Sequence, residues 1–129
     1  MSDYNTQQYL ANKQSPKRVK VLTRTSDLTL KPKDTGSVIN NTGAAGAVTI
    51  TLPAGARIGD NFKFRVNAAQ ELRIDPGLAT HSIVVAGLSP SAGEYITANA
   101  AGEYIDLEFI GSLTWIASNV GGTWTEESP

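Results

Sequence analysis

The sequence predicts an all-β fold, a sandwich or jelly-roll-like single domain with an extended N-terminal arm. Three observations predict it. Apolar residues recur at every second position in short runs, as in Val48, Ile50 and Leu52 or Phe62, Phe64 and Val66. Gly, Pro, Asn and Asp interrupt those runs, giving roughly eight to ten strands at eight-to-twelve-residue spacing. No window sustains a 3.6-residue apolar period over three turns, so helix is expected to be scarce.

The totals narrow the possibilities further. A chain of 129 residues suits one domain and buries a core without metals or disulfides. Cysteine is absent, which excludes disulfide and thiolate chemistry. Apolar runs such as Ile83-Val84-Val85-Ala86 fall far below the roughly 20 residues of a membrane-spanning helix, so no membrane partner is expected. The N-terminal stretch MSDYNTQQYLANKQ lacks the apolar segment of a secretory leader. Charge is unevenly placed. Through Lys33 there are seven Lys and Arg against Asp3 and Asp27, a net +5, whereas from Asp34 onward four basic residues face ten acids, a net −6. Such asymmetry predicts an N-terminal end that meets a different neighbour from the rest of the chain.

Taken in order, residues 1–18 read as a flexible arm and residues 19–129 as the β-sandwich domain. The arm is rich in Asn, Gln and Ser and holds little to bury beyond Tyr4, Tyr9 and Leu10. Ser15-Pro16 biases it toward extended geometry. Its tyrosines bring large contact area at low entropic cost, which suits anchors on a partner. The residues expected to bind that partner are Tyr4, Tyr9, Leu10, Lys13, Lys17, Arg18 and Lys20.

From Val19 the period becomes two. Val19, Val21 and Thr23 alternate with Lys20, Leu22 and Arg24, and Leu28-Thr29-Leu30 forms a second short run. Pro32 and Asp34-Thr35-Gly36 mark a turn before the strand Ser37–Asn40. Asn41-Thr42-Gly43 stops that strand, and Ala44-Ala45-Gly46 reads as a loop tip. Val48 to Leu52 is a half-buried strand closed by Pro53. Phe62, Phe64 and Val66 define the next, Leu72 and Ile74 another, and Asp75-Pro76-Gly77 supplies a tight turn. Ile83-Val84-Val85 reads as a buried strand.

The chain closes on a hairpin. Ile105, Leu107 and Phe109 share one face and Tyr104, Asp106, Glu108 and Ile110 the other. On the return, Leu113, Trp115 and Ala117 alternate with Thr114, Ile116 and Ser118. A two-residue connection at Gly111-Ser112 fits a type I′ or II′ turn.

Motifs of chemistry are sparse. His81 is the single histidine, without a nucleophile elbow or a second histidine for a metal, and reads as structural. Asp106 and Glu108 lie two apart on one strand face, a spacing open to a glycosidase pair. Paired carboxylates do acid–base work only where their surroundings separate their pKa values. A solvated face, or one salt-bridged to Arg73 or Lys63, is the expected reading. No D-x-D-x-D-G calcium loop or phosphate loop occurs. Neither a cofactor, a metal nor nucleic acid is expected, and the chain is read as non-enzymatic.

Three stretches carry a resemblance: INNTGAAGAVTITLPAGARIGDNFKFRV, AGEYITANAAGEYIDLEFIG and TWIASNVGGTW. With Leu52, Pro53, Gly59, Gly102, Trp115, Gly122 and Trp124 at its marker positions, the segment of residues 36–125 resembles a β module repeated in tailed-bacteriophage virion proteins. The resemblance implies a capsid decoration (cement) protein, trimeric and without catalysis, on the outer capsid surface of the virion, with the major capsid protein as partner. A head- or tail-fibre module that binds surface carbohydrate is the alternative it implies. Long repetitive or coiled-coil segments, which a fibre needs, are not seen in this sequence.

Overall fold

Period-two alternation fixes which side chains turn inward, but not which strands lie side by side. The structure, a computed structural model, describes residues 18–127 and supplies that pairing. Among these residues the strands are β1 (Val21–Thr23), β2 (Leu28–Thr29), β3 (Val38–Asn40), β4 (Val48–Thr51), β5 (Asn61–Arg65) and β6 (Leu72–Asp75). They continue with β7 (Ser82–Val84), β8 (Ile96–Ala98), β9 (Tyr104–Gly111), β10 (Thr114–Gly121) and β11 (Thr125–Glu126). One 3₁₀ turn, Pro32–Asp34, precedes β3. The predicted arm lies outside the described residues, apart from Arg18.

Two sheets form, in the orders β1-β3-β5-β9-β10-β7 and β11-β8-β6-β4-β2. The fold is therefore the all-β sandwich that the alternation predicts. Its connectivity is not that of a jelly roll, which is built from antiparallel Greek keys. β1, β3 and β5 are parallel in one sheet, and β2, β4 and β6 are parallel in the other. From β1 to β6 the chain thus crosses between sheets at every step and winds through three coils. A tight turn cannot join parallel neighbours, so each return runs through a strand of the opposite sheet. Only β9 and β10 are both consecutive in sequence and paired.

The registers show how alternation becomes core. Leu22, Ile39, Phe64 and Ile105 form one inward row across the larger sheet. Leu28, Ile50, Ile74 and Ile96 form the matching inward row of the smaller one. All are buried except Leu22 and Leu28, which pack half-buried at the edge. Trp115 is fully buried between Phe62 and Phe109, with ring centroids 5.9 and 5.1 Å away. Each such aromatic pair adds about 0.5–1.5 kcal/mol beyond the area it buries.

Asn41 is a polar strut in this core. It is fully buried, and its Oδ1 accepts from the backbone N–H groups of Asn67 and Ala68 at 2.8 and 2.9 Å. Its Nδ2 donates to the carbonyls of Ala68 and Gln70 at 3.2 and 3.3 Å. One side chain thereby fastens the β3–β4 loop to the β5–β6 loop. The side chain of Trp124 does similar work later, donating from Nε1 to the carbonyls of Tyr104 and Gly121.

Three local expectations change. The hairpin loop is Ser112-Leu113, one residue later than Gly111-Ser112, and both residues have positive φ (52° and 60°), as a type I′ turn requires. Leu113 therefore belongs to the turn and not to the inward face of Trp115. A register shift beside the turn lets Gly111, at φ 84°, absorb the extra residue as a bulge. Next, Ile83-Val84-Val85 is not buried throughout: β7 is a sheet edge and Val84 is 45% exposed on its outer face. Third, Ala44 at the expected loop tip is buried. Val19 and Val21 stand exposed, with Leu22 at the inward position of β1.

Candidate partner-binding surface

The surface most unlike the rest begins where the first coil leaves an open edge. β1 ends the larger sheet and β2 ends the smaller one, on the same side of the sandwich. Beyond them no strand pairs among the described residues. The intervening turn brings Lys20, Leu22 and Arg24 of one edge close to Leu28, Thr29, Lys31 and Lys33 of the other. These side chains and Asp34 line an open cleft of about 240 Å³.

Asp34 organises that cleft. It is buried, its Oδ2 accepts from the backbone N–H of Lys31 at 2.9 Å, and its Oδ1 pairs with Lys20 Nζ at 3.0 Å. The Lys31 hydrogen bond and the Lys20 ammonium hold its carboxyl below the usual carboxylate value, against the opposing effect of burial. Arg24 donates to Ser26 Oγ and to the Asp27 carbonyl. Asp27 in turn accepts from the Thr49 N–H at 2.8 Å, tying the turn to β4. Lys31 and Lys33 stand exposed on the rim.

Of the residues expected to bind a partner, Arg18 and Lys20 lie at this edge and are exposed. Tyr4, Tyr9, Leu10, Lys13 and Lys17 lie outside the described residues. Sequence reasoning counted Arg24, Lys31 and Lys33 in the basic lead-in but did not single them out. Nothing in their spacing reveals that a chain crossing between two sheets gathers them around one cleft.

The residues weighed for catalysis sit elsewhere. Asp106 pairs with Arg65 at 3.0 Å and also accepts from Asn119 at 3.4 Å. Its ion-pair partner is thus neither Arg73 nor Lys63. Lys63 is its cross-strand neighbour, while Arg73 lies on the other sheet, bonded to Glu71 at 2.8 Å. A bulge at Ser118 brings Asn119 opposite Asp106. Glu108 shares the outer face but is flanked by Asn61 and Ile116 across its two neighbouring strands. His81 is buried with its ring 5.5 Å from Phe109. Among the described residues, no three His, Asp or Glu side chains are placed to hold a metal ion.

A second concavity, of about 530 Å³, lies at the far side of the smaller sheet. Its polar lining is Glu71, Thr97, Asn99, Glu103, Thr123 and Thr125. Arg73 and Thr97 bond Glu71 and keep its carboxyl below the usual value. Glu103 accepts from the backbone N–H groups of Asn99, Ala100 and Thr123, so it organises two loops. The sequence offered no signal for this cleft, because its residues come from three separate stretches, around residue 71, 97–103 and 123–125.

Among the described residues, no helix is long and apolar enough to cross a membrane. No protein-family model matches the chain, and no curated protein matches it.

Proposed function

We propose that this protein is a structural component of a virion, a decoration protein that binds the outer capsid surface as a trimer and reinforces the shell. The observation that carries the reading is the cationic open edge of β1. Arg18 and Lys20 stand exposed there, beside outward-facing Val19 and Val21, at the point where the tyrosine- and lysine-bearing N-terminal segment joins the body. An edge of this kind combines charge, apolar area and unpaired backbone groups, the three elements of a docking strip. Three copies on one assembly would engage the shell together, so individually weak contacts gain avidity of about 10²- to 10⁴-fold. The major capsid protein is the partner proposed, and the charge of this edge calls for an acidic patch on it.

Deleting residues 1–18 tests this reading. Binding to assembled capsids lacking the protein should fall by at least about 100-fold, because avidity multiplies the loss. Undiminished capsid binding by the truncated chain would refute it.

A second reading, a host-recognition module that binds surface carbohydrate, draws on the polar cleft around Thr97 and Thr123, whose hydroxyl and carboxylate lining suits sugar hydroxyls. A glycan array distinguishes it. Binding to a surface polysaccharide that Thr123→Tyr abolishes would favour it, and silence across the array would remove it.

A further inference from the structure

The two ends of the sandwich carry opposite charge. At the β1/β2 end, residues 18–34 hold five Lys and Arg against Asp27 and Asp34, and both acids are engaged within the fold. At the other end, Glu94, Glu126 and Glu127 lie on or beside the edge pair β8 and β11, and residues 74–127 hold no Lys or Arg at all. The strands order these segments spatially as well as in sequence. β1 and β2 close one side of the two sheets, and β7 and β11 close the opposite side. Glu126 lies on β11 itself, Glu127 follows it, and Glu94 precedes β8, the strand that β11 pairs with. Each of these three acids accepts a backbone N–H, Glu94 from Ser91, Glu126 from Ser89 and Glu127 from Tyr95, but among the described residues none forms an ion pair, and neither Arg24, Lys31 nor Lys33 does so at the other end.

Both ends also expose apolar side chains. Val19 and Val21 flank the basic cleft, and Val84 with Ile116, paired across β7 and β10, lies on the outer face near the acidic end. Each end is therefore an open sheet edge with one sign of charge and a few exposed aliphatic groups.

We propose that the basic cleft between β1 and β2 receives the acidic β11 edge of a second copy of this chain, so that copies join head to tail. Symmetry supports this arrangement. A two-fold contact at either end would set like charges against like, which costs several kcal/mol. A heterologous contact pairs Lys31, Lys33 and Arg24 of one copy with Glu126, Glu127 and Glu94 of the next, and leaves Arg18, Val19 and Val21, which do not line the cleft, exposed for the shell. Such contacts close into a ring or grow into a filament according to the rotation per step. The inference deepens the proposed function: it rests on that reading for the size of the ring, and on the charge pattern for the surfaces that meet.

The test uses the full chain and three variants, followed by analytical ultracentrifugation at low and high salt. K31E/K33E reverses the basic edge, E126K/E127K reverses the acidic edge, and the four-residue variant exchanges both. The wild type should self-associate and dissociate as salt screens the contact. Either single-edge variant should associate at least about 100-fold more weakly, from like charges brought together. The four-residue exchange should recover association to within about tenfold, since its edges are complementary again. Far-ultraviolet circular dichroism checks that each variant is folded. A wild-type chain that stays monomeric, single-edge variants with unchanged mass, or a folded four-residue variant that fails to recover would each overturn the inference. Capsid binding is measured in parallel. Unchanged mass in the single-edge variants with shell binding retained overturns this contact and leaves the decoration reading standing. Salt-sensitive assembly rescued by the exchange, without shell binding, supports the contact and overturns that reading.

Discussion

Replacing Asn41 with alanine should be among the most damaging single substitutions in this protein, although it removes no apolar core residue. The side chain is 0% exposed and makes four hydrogen bonds, two as acceptor and two as donor, all to the backbone of Asn67, Ala68 and Gln70. Truncation strands two N–H donors and leaves a small void. Each buried group left without a partner costs about 1–3 kcal/mol. Asn67 is exposed and Ala68 half-buried, so water can reach part of this backbone and the lower end applies. A total loss of about 3 kcal/mol follows, from two stranded donors, two weakened acceptors and the void. At about 4 °C per kcal/mol for a body of this size, Tm should fall by about 12 °C. Urea unfolding followed by tryptophan fluorescence is a suitable assay, since Trp115 and Trp124 are both buried. The midpoint should drop with the slope unchanged, because the surface exposed on unfolding is the same. Asn67→Ala is the control. Its backbone N–H still bonds Asn41, and its side chain reaches only Thr42 Oγ1, so it should cost less than about 1 kcal/mol. Equal losses for the two variants, or a loss below about 1 kcal/mol for Asn41→Ala, would refute the reasoning.

Two further outcomes are expected. The carboxyl of Asp34 lies below its ordinary value of 3.8 in the folded state, so it stabilises the fold above that value. The contribution is lost as pH falls through the folded value, below about pH 4, and it is absent in Asp34→Asn. Unfolding free energies of the two proteins from urea titration should therefore differ by about 1–2 kcal/mol at pH 7 and converge toward pH 3, and a gap that widens in acid would contradict the assignment. Ser112 and Leu113 both occupy the left-handed region that asparagine and glycine adopt more readily. Ser112→Asn with Leu113→Gly should raise stability by about 1 kcal/mol in thermal unfolding, since Leu113 is largely exposed and surrenders little burial. A lower Tm would show that the exposed leucine matters more than the turn strain.

Several parts of this fold were legible in the residues. The inward positions of Val48, Ile50 and Leu52, of Phe62, Phe64 and Val66, and of Ile105, Leu107 and Phe109 follow from alternation alone, because a strand places successive side chains on opposite faces. The basic lead-in was equally plain, since charge is counted without coordinates. Asp75-Pro76-Gly77 carried its own turn geometry, and Gly77 indeed sits at φ 89° with its N–H bonded to Asp75. Elsewhere local signals misled. Gly111 drew the hairpin turn one residue early, because a glycine with positive φ serves a bulge as readily as a turn.

The sequence by itself determined that this chain forms strands, which of their faces are apolar, and that its first 33 residues are basic and the remainder acidic. Those are properties of neighbouring residues and of sums. The tertiary structure decided that the strands cross between sheets in parallel coils, that Asp106 meets Arg65 rather than Arg73, and that Asn41 braces two distant loops. It alone places Lys20, Arg24, Lys31 and Lys33 around one cleft, and sets the acidic strand β11 at the opposite edge. Pairing between strands is made by backbone groups that every residue shares, so no side-chain pattern encodes it. Only the competition among complete packings selects one register, and with it the surface that a partner meets.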